Sequence, residues 1–308
     1  MEARTCRACG FRLVGKVRPL ILLGALLLAG CTPPRQTPPP RVAEPRPHLP
    51  ITRYVPPAPP APAVSTAKPF EQTITLGQSV EGRPIQMTVL GAGGETTLIL
   101  AAFHGNEPTS ADVARELIRH LRENPQVYQG RRVAVVAVVN PDGLARGTRE
   151  NAHGVDINRN FPAGNFPADP DRNYEGGPYP VSERETLAVL TALRQFRPAR
   201  IVSIHSIRRG EHGNNYDGPA RQLAAQMGRC NGYPVLASIG YPTPGSFGVW
   251  AGIDQQSPTV TLELPREADA GSCWRENREA LLAAIRFQAG SPTQITGPVP
   301  LSRTGVGK

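Results

Sequence analysis

The run Thr97-Leu-Ile-Leu-Ala-Ala-Phe103, followed at once by His104-Gly-Asn-Glu107, decides how this chain folds. An apolar stretch of this length without a charge predicts a strand buried on both faces, as in the middle of an α/β sheet. A helix is predicted next, over 109–124, because Val113, Leu117, Ile118 and Leu121 fall on one stripe. The same alternation recurs downstream. Arg132-Val-Ala-Val-Val-Ala-Val-Val139 predicts a second buried strand, and Ser182 with Glu185 suggests a capping box opening a helix over 182–196. Ile201-Val-Ser-Ile-His205 is a third strand, followed by a helix over 219–229, a strand over 259–264 and a helix over 274–287. Strands alternating with helices predict an α/β fold, one domain with a mixed, mostly parallel sheet flanked by helices.

Outward from this core, the 308 residues divide by composition. The segment 1–30 joins a cationic stretch to the nine-residue apolar run Leu20–Leu28, too short to span a bilayer and suited to a signal peptide. Leu28-Ala-Gly-Cys31 resembles the lipobox of bacterial lipoproteins, which implies acylation of Cys31 and attachment to a lipid membrane. Thr32 in place of Asp implies, by the same resemblance, a bacterial cell-envelope protein in the outer membrane, facing the periplasm. Residues 31–69 form the acylated cysteine and a Pro-rich tether, 70–290 the globular domain and 291–308 a flexible C-terminal tail.

The formal charge of +9 falls to +5 from Cys31 onward once the +4 of the first thirty residues is removed. No dense basic run with interleaved aromatics follows, so nucleic acid is excluded as the expected partner. A mildly basic surface suits an anionic polymer or an anionic lipid face, though such a balance more often marks a plain solvated surface. Cys230 and Cys273 remain in the domain. A disulfide between them and two thiols are both open, since geometry decides the pairing.

The chemistry gathers at strand ends. His104 and Glu107 follow one buried strand and His205 closes another, at the sheet edge where α/β proteins build ligand sites. Two histidines and a glutamate with one open position are the donor set of a catalytic zinc ion. Glu263, inside the apolar Thr261-Leu-Glu-Leu-Pro265, needs a partner to be buried. A structural salt bridge and a general base for a metal-activated water both meet that need. Asn215-Tyr-Asp-Gly218 suits either an Asx turn or a pocket wall.

Five motifs in order, His104-x-x-Glu107, Asn140-Pro-Asp-Gly143, Gly154-Val-Asp-Ile-Asn-Arg-Asn-Phe161, Ser203-Ile-His205 and Thr261-Leu-Glu263, resemble the zinc carboxypeptidase family over about residues 72–288. The stretches 148–162 and 240–250 are similar to its murein tripeptide amidase branch, whose members cut γ-D-glutamyl–diaminopimelate amides. The resemblance implies that His104, Glu107 and His205 bind one zinc ion and that Glu263 is general base and acid. It implies that Asn158 and Arg159 hold the substrate's terminal carboxylate, for which a guanidinium fork is well shaped. Arg149 matches the arginine that stabilises the oxyanion, with Arg146 a competing candidate because the spacing in this loop varies. Tyr241 matches a mobile tyrosine that closes over substrate, and Asp156 the carboxylate that orients a zinc histidine. The implied partners are murein-derived or other small peptides. The competing readings are a general metallocarboxypeptidase on ordinary peptides and a non-catalytic wall-binding lipoprotein.

Overall fold

The computed structural model describes residues 70–168, 174–208, 210–237 and 241–288. The signal peptide, Cys31, the tether and the tail from 291 lie outside the described residues. Eight strands form one sheet: β1 (Glu71–Gln78), β2 (Pro84–Leu90), β3 (Thr96–Ala101), β4 (Arg132–Val136), β5 (Arg200–Ile207), β6 (Gly213–Asp217), β7 (Val235–Leu236) and β8 (Thr259–Pro265). Their order is β1-β2-β4-β3-β5-β8-β6-β7. The central run β4-β3-β5-β8 is parallel, while β1, β2 and the β6–β8 pairing are antiparallel. The mixed, mostly parallel α/β architecture expected from the alternating pattern is the one observed. The helices are α1 (Pro108–Glu123), α2 (Pro141–Arg146), α3 (Arg184–Phe196), α4 (Arg221–Asn231) and α5 (Ala270–Arg286).

Alternation along the central strands sends side chains to two cores. In β3, Ile99 and Ala101 join the core under α1, α4 and α5, whereas Leu98 and Leu100 join the one under α3. All four are fully buried, and each larger one contributes about 1.5–3 kcal/mol of hydrophobic stabilisation. Strands anchored on both faces hold their C-terminal ends rigidly, and the polar residues described next sit on those ends.

The expected capping box does not form. The N-cap of α3 is Glu183, and Ser182 lies one residue outside the helix. Glu185 turns away to accept hydrogen bonds from the Val80 and Asn151 nitrogens, while the Ser182 hydroxyl accepts from Asn160 Nδ2 and donates to Glu183. Cys230 is exposed on α4 and Cys273 buried on α5, with no disulfide between them. No described helix is long and apolar enough to cross a membrane.

Candidate active site

Just past the end of β3, Ala102 takes a φ of +51°, a left-handed turn that costs a non-glycine residue about 1–2 kcal/mol. The turn brings the His104 ring to 4.9 Å from that of His205, near the end of β5. His205 is itself stacked on Phe103 at 5.4 Å. Pro108 starts α1, and Glu107 stands at its N-cap without capping it. Its carboxylate is turned to the site instead, where Oε2 accepts the Ser206 backbone N–H at 2.9 Å.

These three side chains converge. His104 Nδ1 and His205 Nδ1 are 3.3 Å apart, and His205 Nδ1 is 3.3 Å from Glu107 Oε2. His104 Nδ1 is 2.8 Å from Glu107 Oε1. A tetrahedral zinc ion with bonds of about 2.0–2.1 Å places its ligand atoms roughly 3.3 Å apart. The donor set therefore fits zinc in both chemistry and spacing.

Behind the ligands, Asp156 Oδ1 meets His104 Nε2 at 3.0 Å. That contact leaves Nδ1 as the ring nitrogen for a metal and makes the ring more basic. Burial opposes charge on His104, but Asp156 and Glu107 outweigh it and carry its pKa up to about 9. Burial would likewise raise Glu107, yet the two histidines hold its carboxyl well below the usual range. Asp156 also accepts Arg149 Nε and Nη2 at 3.0 and 2.7 Å, which aims Arg149 Nη1 at His104, 3.3 Å from Nδ1.

Glu263 lies beside His205 in the β5–β8 register and is 7% exposed. Burial is the main cause that lifts its carboxyl above the ordinary range, with His205 opposing. It has no hydrogen-bond partner among the described residues, so the structural salt bridge left open by the sequence is not formed. A carboxylate held this way, next to the ligands and open to the cleft, is placed to take and return a proton.

The cleft has a volume of about 280 Å³ and is lined by the three ligands, Glu263, Arg149, Asn158, Arg159 and Tyr241. Asn158 is fixed by accepting the Phe247 N–H at 3.0 Å. Arg159 is buried; its Nη1 donates to Asn158 O at 2.9 Å. Its Nε is 3.2 Å from Glu175 but off the hydrogen-bond angle, which leaves a buried donor unpaired. A guanidinium that lines the cleft is suited to a substrate carboxylate. Tyr241 stands half exposed at the rim. Arg146 is not brought to this group. As the last residue of α2 it pairs with Glu81 at the β1–β2 turn, because α2 carries it away from the cleft. Arg146 is therefore removed from the candidate set, and Arg149 alone faces the ligands from this loop.

Two further residues line the cleft, Asp217 and Arg266, of which Arg266 was not singled out from the sequence. Asp217, which the sequence left between turn and pocket wall, ends strand β6, and burial alone raises its pKa to about 6. No described residue pairs with its carboxylate. Gly248 makes room for it: a Cβ there would lie 2.4 Å from Asp217 Oδ2. Arg266 follows β8 and donates from Nη2 to Ser206 O at 3.1 Å, with Glu107 Oε1 3.9 Å away. The only sequence signal for Arg266 was its closeness to Glu263.

Fold and donor set together define a zinc-dependent hydrolase built on an α/β sheet. The sequence profile of the zinc carboxypeptidase family matches residues 63–212. Murein peptide amidase A of Escherichia coli K12 is 35% identical over 206 residues, which cover 61% of this chain and 79% of that protein. Gamma-D-glutamyl-L-diamino acid endopeptidase 1 of Lysinibacillus sphaericus is 25% identical over 250 residues, 65% of this chain and 62% of that one. The crystal structure of murein-tripeptide amidase from Escherichia coli O157 superposes with a TM-score of 0.57 at 29% identity, covering 71% of this chain and 93% of that one. Carboxypeptidase A of Helicoverpa armigera shares the fold with a TM-score of 0.60 at 18% identity, over 70% of this chain and 68% of that one. The chain belongs to the zinc carboxypeptidase family.

Proposed function

We propose that this protein is a murein peptide amidase that hydrolyses the amide joining a γ-D-glutamyl group to a diamino acid, working from an envelope membrane to which Cys31 anchors it. The observation that carries the substrate is Asp217. A leaving amino acid whose carboxylate meets Arg159 extends its side chain into the same cleft. An unpaired, largely buried carboxylate there favours a side chain that carries an ammonium. Diaminopimelate presents one, and an ordinary apolar C-terminal residue leaves Asp217 desolvated and uncompensated. The relatives that cut murein peptides and γ-D-glutamyl–diamino acid bonds support the same substrate class.

In this proposal His104, Glu107 and His205 hold one zinc ion, which supplies Lewis acidity toward the scissile carbonyl and lowers the pKa of water. Glu263 accepts the proton of the attacking water and passes it to the departing amine, so one carboxylate is base and then acid. Arg149, locked by Asp156 on one edge, directs its remaining Nη1 to the charge that develops on the carbonyl oxygen. Asn158 and Arg159 fix the leaving group by its carboxylate, and Tyr241 at the rim covers it. The lipobox at Cys31 and the tether from 31 to 69 support the envelope setting, where murein peptides are found.

The test is hydrolysis of L-Ala-γ-D-Glu-diaminopimelate by the zinc-loaded full-length protein, beside Glu263→Ala and a panel of ordinary L-peptides. Release of diaminopimelate by the native protein, with the panel intact and the variant inert, is the expected result. Trimming of the panel alone overturns the proposal in favour of a general carboxypeptidase.

A further inference from the structure

The strand that carries Glu263 also measures the substrate. Asp217 is paired with Thr259, four residues before Glu263 on β8, and Arg266 comes three residues after it. At about 3.3 Å per residue, the backbones of Thr259 and Arg266 lie roughly 13 Å and 10 Å along the chain from that of Glu263, in opposite directions. Asp217 is on the leaving-group side in the function proposed above, so Arg266 falls on the acyl side. Its backbone is fixed there by the Arg266 N–H donating to Ile207 O at 2.8 Å. Its side chain folds back over Ser206 toward the zinc ligands.

Nothing in the catalytic scheme uses this guanidinium. Ser206 O takes one N–H, and Glu107, at 3.9 Å, is beyond hydrogen-bond distance. Half of the side chain is exposed to the cleft. A γ-linked glutamyl group differs from an ordinary acyl residue in a specific way: its α-carboxylate stays free. That carboxylate lies four carbon–carbon bonds from the scissile carbonyl carbon, about 5 Å when extended. A carbonyl placed at the His104–Glu107–His205 centre therefore presents its α-carboxylate within reach of a cation 3.9 Å from Glu107.

We propose that Arg266 is a specificity-determining residue that binds the free α-carboxylate of the γ-glutamyl group and so separates γ-linked from ordinary α-linked peptides. The proposal rests on the murein amidase reading. It assigns the acyl side of the cleft to Arg266 as that reading assigns the leaving-group side to Asp217.

The experiment compares two substrates, L-Ala-γ-D-Glu-diaminopimelate and its α-carboxamide (D-isoglutaminyl) counterpart, with the native full-length protein and with Arg266→Gln. Loss of a charge-assisted hydrogen bond changes kcat/KM by about 10- to 100-fold. The native protein is expected to prefer the carboxylate substrate by that factor. In Arg266→Gln the ratio is expected to collapse toward one, mainly through KM, with zinc content unchanged. A preference that survives the substitution overturns the proposal, as does an equal fall on both substrates with loss of zinc, which marks a structural role beside Glu107. If the native protein cuts neither γ-linked substrate but trims ordinary peptides, the murein reading itself fails and Arg266 loses its assignment with it.

Discussion

Asp217→Asn should make this protein more stable and a worse enzyme, and the size of the first effect follows from the structure. Burial alone raises the Asp217 pKa from 3.8 to about 6. Each tenfold in that equilibrium is worth 1.36 kcal/mol, so the ionised side chain costs the native state on the order of 3 kcal/mol. The sign follows from linkage. The folded state holds the proton more tightly than the unfolded chain, so native stability falls as pH rises from about 4 to about 6 and the full cost persists above that. Asparagine carries no charge to desolvate and keeps the shape, so the variant should gain about 3 kcal/mol at pH 8. For a domain of this size that raises Tm by roughly 6–12 °C. At pH 4 both side chains are neutral in the folded state, and the difference should shrink below about 1 kcal/mol. Thermal and urea unfolding of the native protein and the variant at pH 4, 6 and 8 measures this directly. A gain of equal size at pH 4 and pH 8 would refute the reasoning, because it cannot come from a buried charge. No gain at pH 8 would mean that the carboxylate is already compensated. The same substitution should lower kcat/KM for the diaminopimelate substrate while sparing peptides with apolar C-termini. Stability given up at a site for binding is a recurrent trade.

Other expectations follow from neighbouring contacts. Asp156→Ala removes the carboxylate that holds both His104 and Arg149, and zinc affinity should fall about 10- to 100-fold in a chelator competition. Gly105→Ala would drive a Cβ to 1.8 Å from the Gly143 backbone carbon. Backbone cannot yield as a side chain does, so the variant should lose zinc or fail to accumulate as folded protein; wild-type zinc content and Tm would contradict that close approach. Cys31→Ser should move the protein from the membrane fraction to the soluble fraction of a bacterial host and abolish labelling by a fatty acid, and unchanged labelling would remove the anchor from the proposal.

Legibility in the sequence tracked burial. The strands around the site were readable because a parallel strand covered on both faces must be continuously apolar, so Leu98–Ala101 and Val133–Val136 stand out. Polar residues at the ends of such runs, His104, Glu107 and His205, stand out for the same reason. Elements at the sheet margins left no such trace. The strand β1 is mostly exposed, and in β6 Asn215 and Asp217 line the polar cleft while Asn214 pairs with Asn231 and only Tyr216 packs on the core. The Ser182–Glu185 spacing was a true local signal that tertiary contacts overrode, since Asn151 and Asn160 claim both side chains. Arg146 and Arg149 are three residues apart, and only the short α2 decides which of them faces the ligands.

Asp217 and Arg266 show why the specificity of such a site hides better than its chemistry. A zinc ion imposes ligand types and a spacing of a few residues, so its motif is local. Recognition of a substrate that carries charges on both sides of one bond imposes only separations in space. Here those separations are set by an antiparallel partner, β6, on one side and by the continuation of β8 on the other. The register Asp217 opposite Thr259 exists only once the sheet is assembled, and no pattern in the chain announces it. An aspartate with no partner in a cleft is unfavourable in isolation, and so is an arginine left with a distant carboxylate. Together they are two fixed charges of opposite sign, complementary to a substrate whose acyl group carries a free carboxylate and whose leaving group carries a side-chain ammonium. A peptide lacking both charges meets both costs and recovers neither, so discrimination against ordinary peptides should be larger than either residue alone supplies. The double variant Asp217→Asn, Arg266→Gln should therefore approach equal kcat/KM on murein and ordinary peptides, and a double variant that still prefers the murein peptide as strongly as the native protein would place the recognition elsewhere.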